Sequence, residues 1–353
     1  MVICGEGGPL VEQYGKFLDI EILNKKKINF SGGAGKKVAD KIRYYSNYFK
    51  SADILKKIKP QAAYISNSAD YGYNKSILEN KIKLVLHAQG IYTSLVNSKK
   101  KNWDYFHNSD HIISISDEVK RNIIFNFGID PGKITTIYNG IDPSEINVRL
   151  ASSRFDRSSF GFDKDDFVVS SAGTLCWRKG SDIFVDAALQ VLERTNNPKI
   201  KFLWIGADSK NNSLPNADKR MRSVLEKIIK DRHVENNIIF VPAVDQPYDI
   251  YYLTDMYAIC SREEAFGLVI IENMFLGKPV VAFPIGGIPE VLQYGGGVFT
   301  KHISSGSLAD TIIDNLSAQK LTTISQNSKN IISEHFDINN QIKKIIEIFD
   351  RLT

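Results

Sequence analysis

The chain has 353 residues, a 43% hydrophobic share and a net charge of +5, which predicts two globular domains rather than one large core. No apolar run approaches the ~18 residues of a membrane span, and the N-terminus lacks the basic, apolar and small-residue succession of a signal peptide, so a cytoplasmic protein is expected. Cys4, Cys176 and Cys260 lie far apart, in neither a disulfide framework nor a zinc-binding spacing.

In chain order, the first apolar stretch runs into GEGGPL, which resembles a dinucleotide-binding turn but has Leu10 where the third glycine belongs, so a nicotinamide dehydrogenase is disfavoured. Short apolar runs then alternate with helical patterns, the signature of parallel sheets covered by helices. Strands are expected at 61–66, 83–87, 111–116 and 134–138, and helices at 39–57 and 118–127. The 83–87 strand ends on His87, at the edge where open α/β sheets bind ligands. A polar stretch over 142–166 lacks sustained periodicity and reads as an interdomain linker. A second series follows, with strands at 167–172, 201–205, 238–241, 256–260 and 279–283 and helices near 181–193, 217–231, 268–275 and 307–315. Residues 331–352 carry a spacing that predicts one closing amphipathic helix. The resulting division is an N-terminal domain over 1–145, a linker over 146–166, a C-terminal domain over 167–330 and a closing helix over 331–353.

Charge is uneven. Residues 1–145 hold 21 Lys and Arg against 15 Asp and Glu, with runs at Lys25–Lys27 and Lys99–Lys101. These runs either form a solvated surface or face an anionic membrane or acceptor. No run is interleaved with aromatics, so nucleic acid is not an expected partner.

The chemistry concentrates in SREEAFGLVIIENMFLGKPVVAFPIGGIPE, residues 261–290. Glu264 precedes Phe266 and Gly267, where a loop gives way to a helix starting at Leu268, and Glu272 lies about one turn inside that helix. Backbone N–H groups of Gly267, Leu268 and Val269 at such a helix start can receive hydroxyls or phosphate oxygens. A carboxylate accepts two hydroxyls at once, which suits a vicinal diol. The alternative is a capping Glu264 and a solvated Glu272. In GTLCWRKGSDIF, residues 173–184, a strand ends at Gly173 and Thr174, and Arg178 and Lys179 precede Gly180 and a helix. Two cations there could neutralise a diphosphate, or could be a surface pair beside a cap.

The two motifs together resemble the retaining glycosyltransferases of family 4. The family's two glutamates with seven residues between them fall on Glu264 and Glu272, its phenylalanine and glycine on Phe266 and Gly267, and GKPVV and GGIPE follow in order. The resemblance implies a GT-B fold, with two Rossmann-like α/β domains whose parallel sheets face each other across a cleft. It implies that Glu264 contacts the transferred sugar, Glu272 the nucleotide ribose, and the backbone of Gly267–Val269 sugar and phosphate. Lys179 matches the family's cation before Gly180, whereas Thr174 occupies a position where the family usually carries arginine. His87 matches a family histidine near the donor sugar. The beginning of the chain looks like the family's second strand and helix, so its first strand, glycine-rich loop and first helix are expected to be missing. The glycines at 5–8 and 32–35 are candidate substitutes.

The resemblance thus implies transfer of a sugar from a nucleotide-diphosphate donor to a glycan or lipid-linked acceptor, with retention of configuration and with neither metal nor cofactor. The DxD at Asp163–Asp165 reads as a loop. Cell-surface polysaccharide synthesis at the inner membrane face is the expected setting. A sugar-nucleotide epimerase of the same architecture and a nucleotide-sugar-binding pseudoenzyme remain as alternatives.

Overall fold

The computed structural model describes residues 2–6, 20–24, 48–66, 73–90, 99–153, 155–207, 216–244 and 247–353. The expected helix at 39–57 is described from residue 48, where it runs to 58. Lys25–Lys27 and the glycines at 7–8 and 32–35 lie outside the described residues.

Two compact units result. The first comprises the residues up to Ile115 with Val119–Thr136 and Ile345–Thr353, and the second Ser116–Glu118 with Ile137–Lys344. In the first, β1 (Val2–Glu6) and β2 (Ile20–Asn24) form a parallel pair. A separate parallel sheet has the order β3 (Ala62–Ser66), β4 (Lys83–Ala88), β5 (His111–Ser114), β6 (Ile134–Thr136). Leu84, Val85, Leu86, Ile112 and Ile113 of the two central strands are fully buried, as expected of strands covered on both faces.

The second unit has a six-stranded parallel sheet. Its strands are β7 (Phe167–Ala172), β8 (Ile200–Ile205), β9 (Ile238–Val241), β10 (Met256–Ile259), β11 (Val280–Ala282) and β12 (Gly297–Phe299), in the order β12-β11-β10-β7-β8-β9. Phe184, Ala188 and Val191 of helix Ser181–Thr195 recur at helical spacing and pack with Phe202, Trp204, Val169 and Ala258 in one core. The order reverses between β10 and β7, and ligands of open α/β sheets bind beyond the strand ends at such a switch point.

Two expectations differ from the structure. The polar stretch read as a linker contains helix Pro143–Ala151 and a 3-10 turn at Arg157–Phe160, and both group with the second unit. Asp142 starts the helix by accepting the N–H of Ser144 at 2.8 Å, with Pro143 in the first turn. Only Ile146 of this helix is buried, so its sequence shows no apolar stripe. The closing helix is two helices, Ser328–His335 and Ile338–Leu352. Between them the chain pairs with Ile141, whose N–H bonds the Phe336 carbonyl at 2.9 Å and whose carbonyl accepts from Ile338 at 3.1 Å. Those bonds replace the helical ladder at 336–337.

Candidate donor site

Two loops of the second unit meet beyond β7 and β10, the strands that flank the order reversal. After β7, Gly173 gives its N–H to the Ile205 carbonyl at 2.8 Å and accepts from Trp204 Nε1 at 2.8 Å. The loop ends at Gly180 with φ 71°, where a Cβ would lie 2.0 Å from the Cys260 carbonyl oxygen. Only glycine allows the two backbones to touch there. After β10, residues 261–267 form the second loop. Gly286, at φ 54°, passes so close beneath it that a Cβ would stand 2.0 Å from the Glu264 carbonyl oxygen.

Side chains tie the loops together. Lys179 Nζ lies 2.6 Å from Glu264 Oε2, with 20% and 12% of the two side chains exposed. Ser261 Oγ donates to the same oxygen at 3.3 Å. Arg262 makes a two-pronged pair with Asp182 at 2.8 and 2.7 Å. It also bonds the carbonyls of Arg178 and Trp177 at 2.8 and 2.7 Å, and its guanidinium sits 5.0 Å from the Trp177 ring centre. Burial works against the Asp182 carboxylate, but the Arg262 hydrogen bonds and charge hold it below its usual range. Lys179 is thereby fixed at the strand ends, and the Arg178 side chain is exposed on the same loop.

Helix Leu268–Phe275 begins at Gly267, with φ 97° and no side-chain cap. Its first N–H groups, those of Leu268 and Val269, have no partner within the helix and suit an anion or a hydroxyl. Leu268 is exposed. Glu272, the fifth residue of this helix, is half-buried, and the desolvation of its carboxyl pushes it up to about 7. Tyr248 donates its phenol O–H to Glu272 Oε1 at 3.3 Å.

The sequence-expected residues are not all brought together. Lys179 and Glu264 are in contact, with Arg178, Gly173 and Thr174 on the same loop as Lys179; no hydrogen bond to the Thr174 side chain is formed among the described residues. The ring of Phe266 is buried between Tyr138, at 5.8 Å, and Phe336, at 5.9 Å. From within this aromatic cluster the side chain supports the loop. His87 belongs to the first unit. Its Nδ1 is hydrogen-bonded to the Tyr64 phenol, its Nε2 is buried without a partner among the described residues, and burial lowers it to about 4. A neutral imidazole with one unfilled nitrogen results. Arg262, Asp182, Ser261 and Tyr248 were not anticipated. The first three lie within the two motif segments, 261–290 and 173–184, whereas Tyr248 comes from a separate segment that carries no signal of its own. Asp165 pairs with Lys199 at 3.6 Å, and among the described residues no group of three or more ligating side chains could hold a metal ion.

The family model for glycosyl transferases group 1 matches residues 152–331, and that for glycosyltransferase family 4 matches residues 10–145. The chain belongs to this glycosyltransferase family. An uncharacterized glycosyltransferase of Methanocaldococcus jannaschii is 26% identical over 68% of the chain and 60% of its own length. The D-inositol 3-phosphate glycosyltransferase of Rhodococcus jostii is 26% identical over 53% of the chain and 40% of its own length. The chain thus spans about half the length of these relatives. Among solved structures, a glycosyltransferase of Rickettsia africae superposes with a TM-score of 0.77 at 19% identity, covering 98% of this chain and 88% of the other. HepE of Anabaena, in complex with UDP-glucose, gives 0.77 at 21% identity, covering 99% and 98%. These likenesses show the GT-B fold with its two parallel-sheet α/β domains.

Proposed function

We propose that this family member moves a sugar from a nucleotide-diphosphate donor to a hydroxyl of a glycan or lipid-linked acceptor, with retention of configuration and without a metal. The observation that carries this reading is the Lys179–Glu264 ion pair beyond the two switch-point strands, beside an uncapped helix start. Glu264 would accept hydroxyls of the transferred sugar, and Glu272 those of the ribose. Lys179, Arg178 and the N–H groups of Leu268 and Val269 would take the diphosphate. As the bond from the anomeric carbon to the diphosphate breaks, the acceptor oxygen bonds that carbon from the same face and its proton passes to the departing phosphate oxygen. The charge that develops is met by fixed cations and N–H dipoles, which lower the barrier. UDP-glucose is the first donor to try, since HepE is complexed with it.

The setting proposed is cell-surface polysaccharide synthesis in the cytoplasm, at the inner membrane face. Its support is the basic N-terminal half and Phe125, 88% exposed on a helix that also carries Lys120 and Arg121. Among the described residues no helix is long and apolar enough to cross a membrane. Flotation with anionic vesicles at low salt, lost at high salt, is the expected behaviour; absence of flotation at low salt contradicts this placement.

The test of the function is calorimetric titration with UDP-, GDP- and ADP-glucose in EDTA, followed by release of nucleoside diphosphate. Binding of one donor that is lost in Glu272→Ala is expected. Binding unchanged in that variant, or restored only by added metal, contradicts the reading.

A further inference from the structure

The Glu272 carboxyl lies in an unusual place for a group expected to hold a ribose. Among the described residues it has no ion pair and one hydrogen-bond donor, Tyr248, at 3.3 Å. Among the described residues, the titratable and charged groups that face it are Tyr248, Tyr251, Tyr257, Arg149 and Glu145. The three phenols come from two elements, helix Tyr248–Leu253 and strand β10, and bring no positive charge. The one cation among these described groups is Arg149 on helix Pro143–Ala151. Its guanidinium sits 5.4 Å from the centre of the Tyr248 ring and pairs with Glu145 one turn earlier.

We propose that Tyr248 is a positioning residue for Glu272: its phenol holds Oε1 so that Oε2 is presented to the ribose diol, with Arg149 seated on the ring to keep the phenol in place. The inference rests on the reading of Glu272 as the ribose contact and extends it to the residues that place and charge that carboxylate. A diol donates two O–H groups, so it binds an ionised carboxylate better than a protonated one. Burial opposes the ionised form, and the Tyr248 hydrogen bond and the Arg149 charge favour it. Nucleotide binding therefore expels a proton near neutral pH, and the pH at which the site becomes ready depends on Tyr248. Helix Pro143–Ala151, which looks like a linker in the sequence, supplies the cation that completes this arrangement.

The experiment has two arms, both on the full chain. In the first, the Glu272 carboxyl is titrated through its ¹³C signal in glutamate-labelled protein, assigned by its loss in Glu272→Gln. A midpoint near 7 is expected, moving up by about one unit in Tyr248→Phe. It should move less in Arg149→Met and stay in place in Arg149→Lys, which keeps a cation over the ring. In the second arm UDP binding is measured from pH 6 to 8.5. Tyr248→Phe should weaken it roughly tenfold on the acid side and recover near pH 8.5, whereas a general loss of structure would weaken it equally at every pH. A carboxyl midpoint unmoved in Tyr248→Phe overturns the positioning role. Unaltered UDP binding in Glu272→Gln instead overturns the ribose reading, and leaves the first arm to judge Tyr248 alone.

Discussion

Eight residues apart in sequence, Glu264 and Glu272 occupy opposite electrostatic surroundings. The first has a lysine ammonium 2.6 Å away on a loop clamped by Arg262 and Asp182. The second, half-buried on its helix, has a phenol as its hydrogen-bond partner and a carboxyl pushed up to about 7 by desolvation. Residue type alone therefore does not assign a role. The loop carboxylate is placed by an ion pair that a donor can rearrange, and the helix carboxylate by a phenol that brings no charge, so that desolvation makes its charge depend on pH and on a ligand.

The largest effect that would break this comparison is kinetic. Lys179→Ala should lower kcat for nucleoside diphosphate release by about 10²–10³, with a smaller change in donor affinity; a loss confined to KM would move Lys179 from the reacting centre to binding. Next is Gly286→Ala, whose Cβ would meet the Glu264 carbonyl at 2.0 Å in a left-handed backbone. It should cost about 3 kcal/mol of stability in denaturant unfolding. A neutral result there would mean that the Glu264 loop is free to shift.

Glu272→Gln sharpens the contrast through stability. The folded carboxyl holds its proton more tightly than the unfolded one, so stability falls as pH rises from the ordinary carboxylate range to about 7, and is level above it. The glutamine variant should lose that slope and gain up to about 3 kcal/mol at pH 8, while binding nucleotide worse; Glu264→Gln should show no such gain. Smallest is Arg262→Ala, which loses a partly exposed pair with Asp182. A cost of about 1 kcal/mol in unfolding is expected, together with looser placement of Lys179 seen as reduced turnover.

Much of the second unit was legible because its strands are short, mostly apolar runs between helical patterns: β7 and β9 fall on the expected residues, and helix Leu268–Phe275 begins where Gly267 ends the loop. Lys179, Glu264 and Glu272 were legible because their motifs are contiguous. What escaped depends on distant packing. Helix Pro143–Ala151 buries one residue and so leaves no pattern, and β12, three residues beginning at Gly297, is too short to announce itself. Phe266 is enclosed by Tyr138 and Phe336, each far away in sequence. Tyr248 reaches Glu272, and Arg149 reaches the Tyr248 ring, from two further segments, a meeting that only the fold creates.

The most direct measurement is a crystal structure of the chain with UDP bound, grown without metal. The account predicts the ribose diol on the Glu272 carboxylate, with Lys179 and the N–H groups of Leu268 and Val269 on the diphosphate. A nucleotide bound elsewhere, or one whose ribose leaves Glu272 untouched, would contradict the donor site described for this chain.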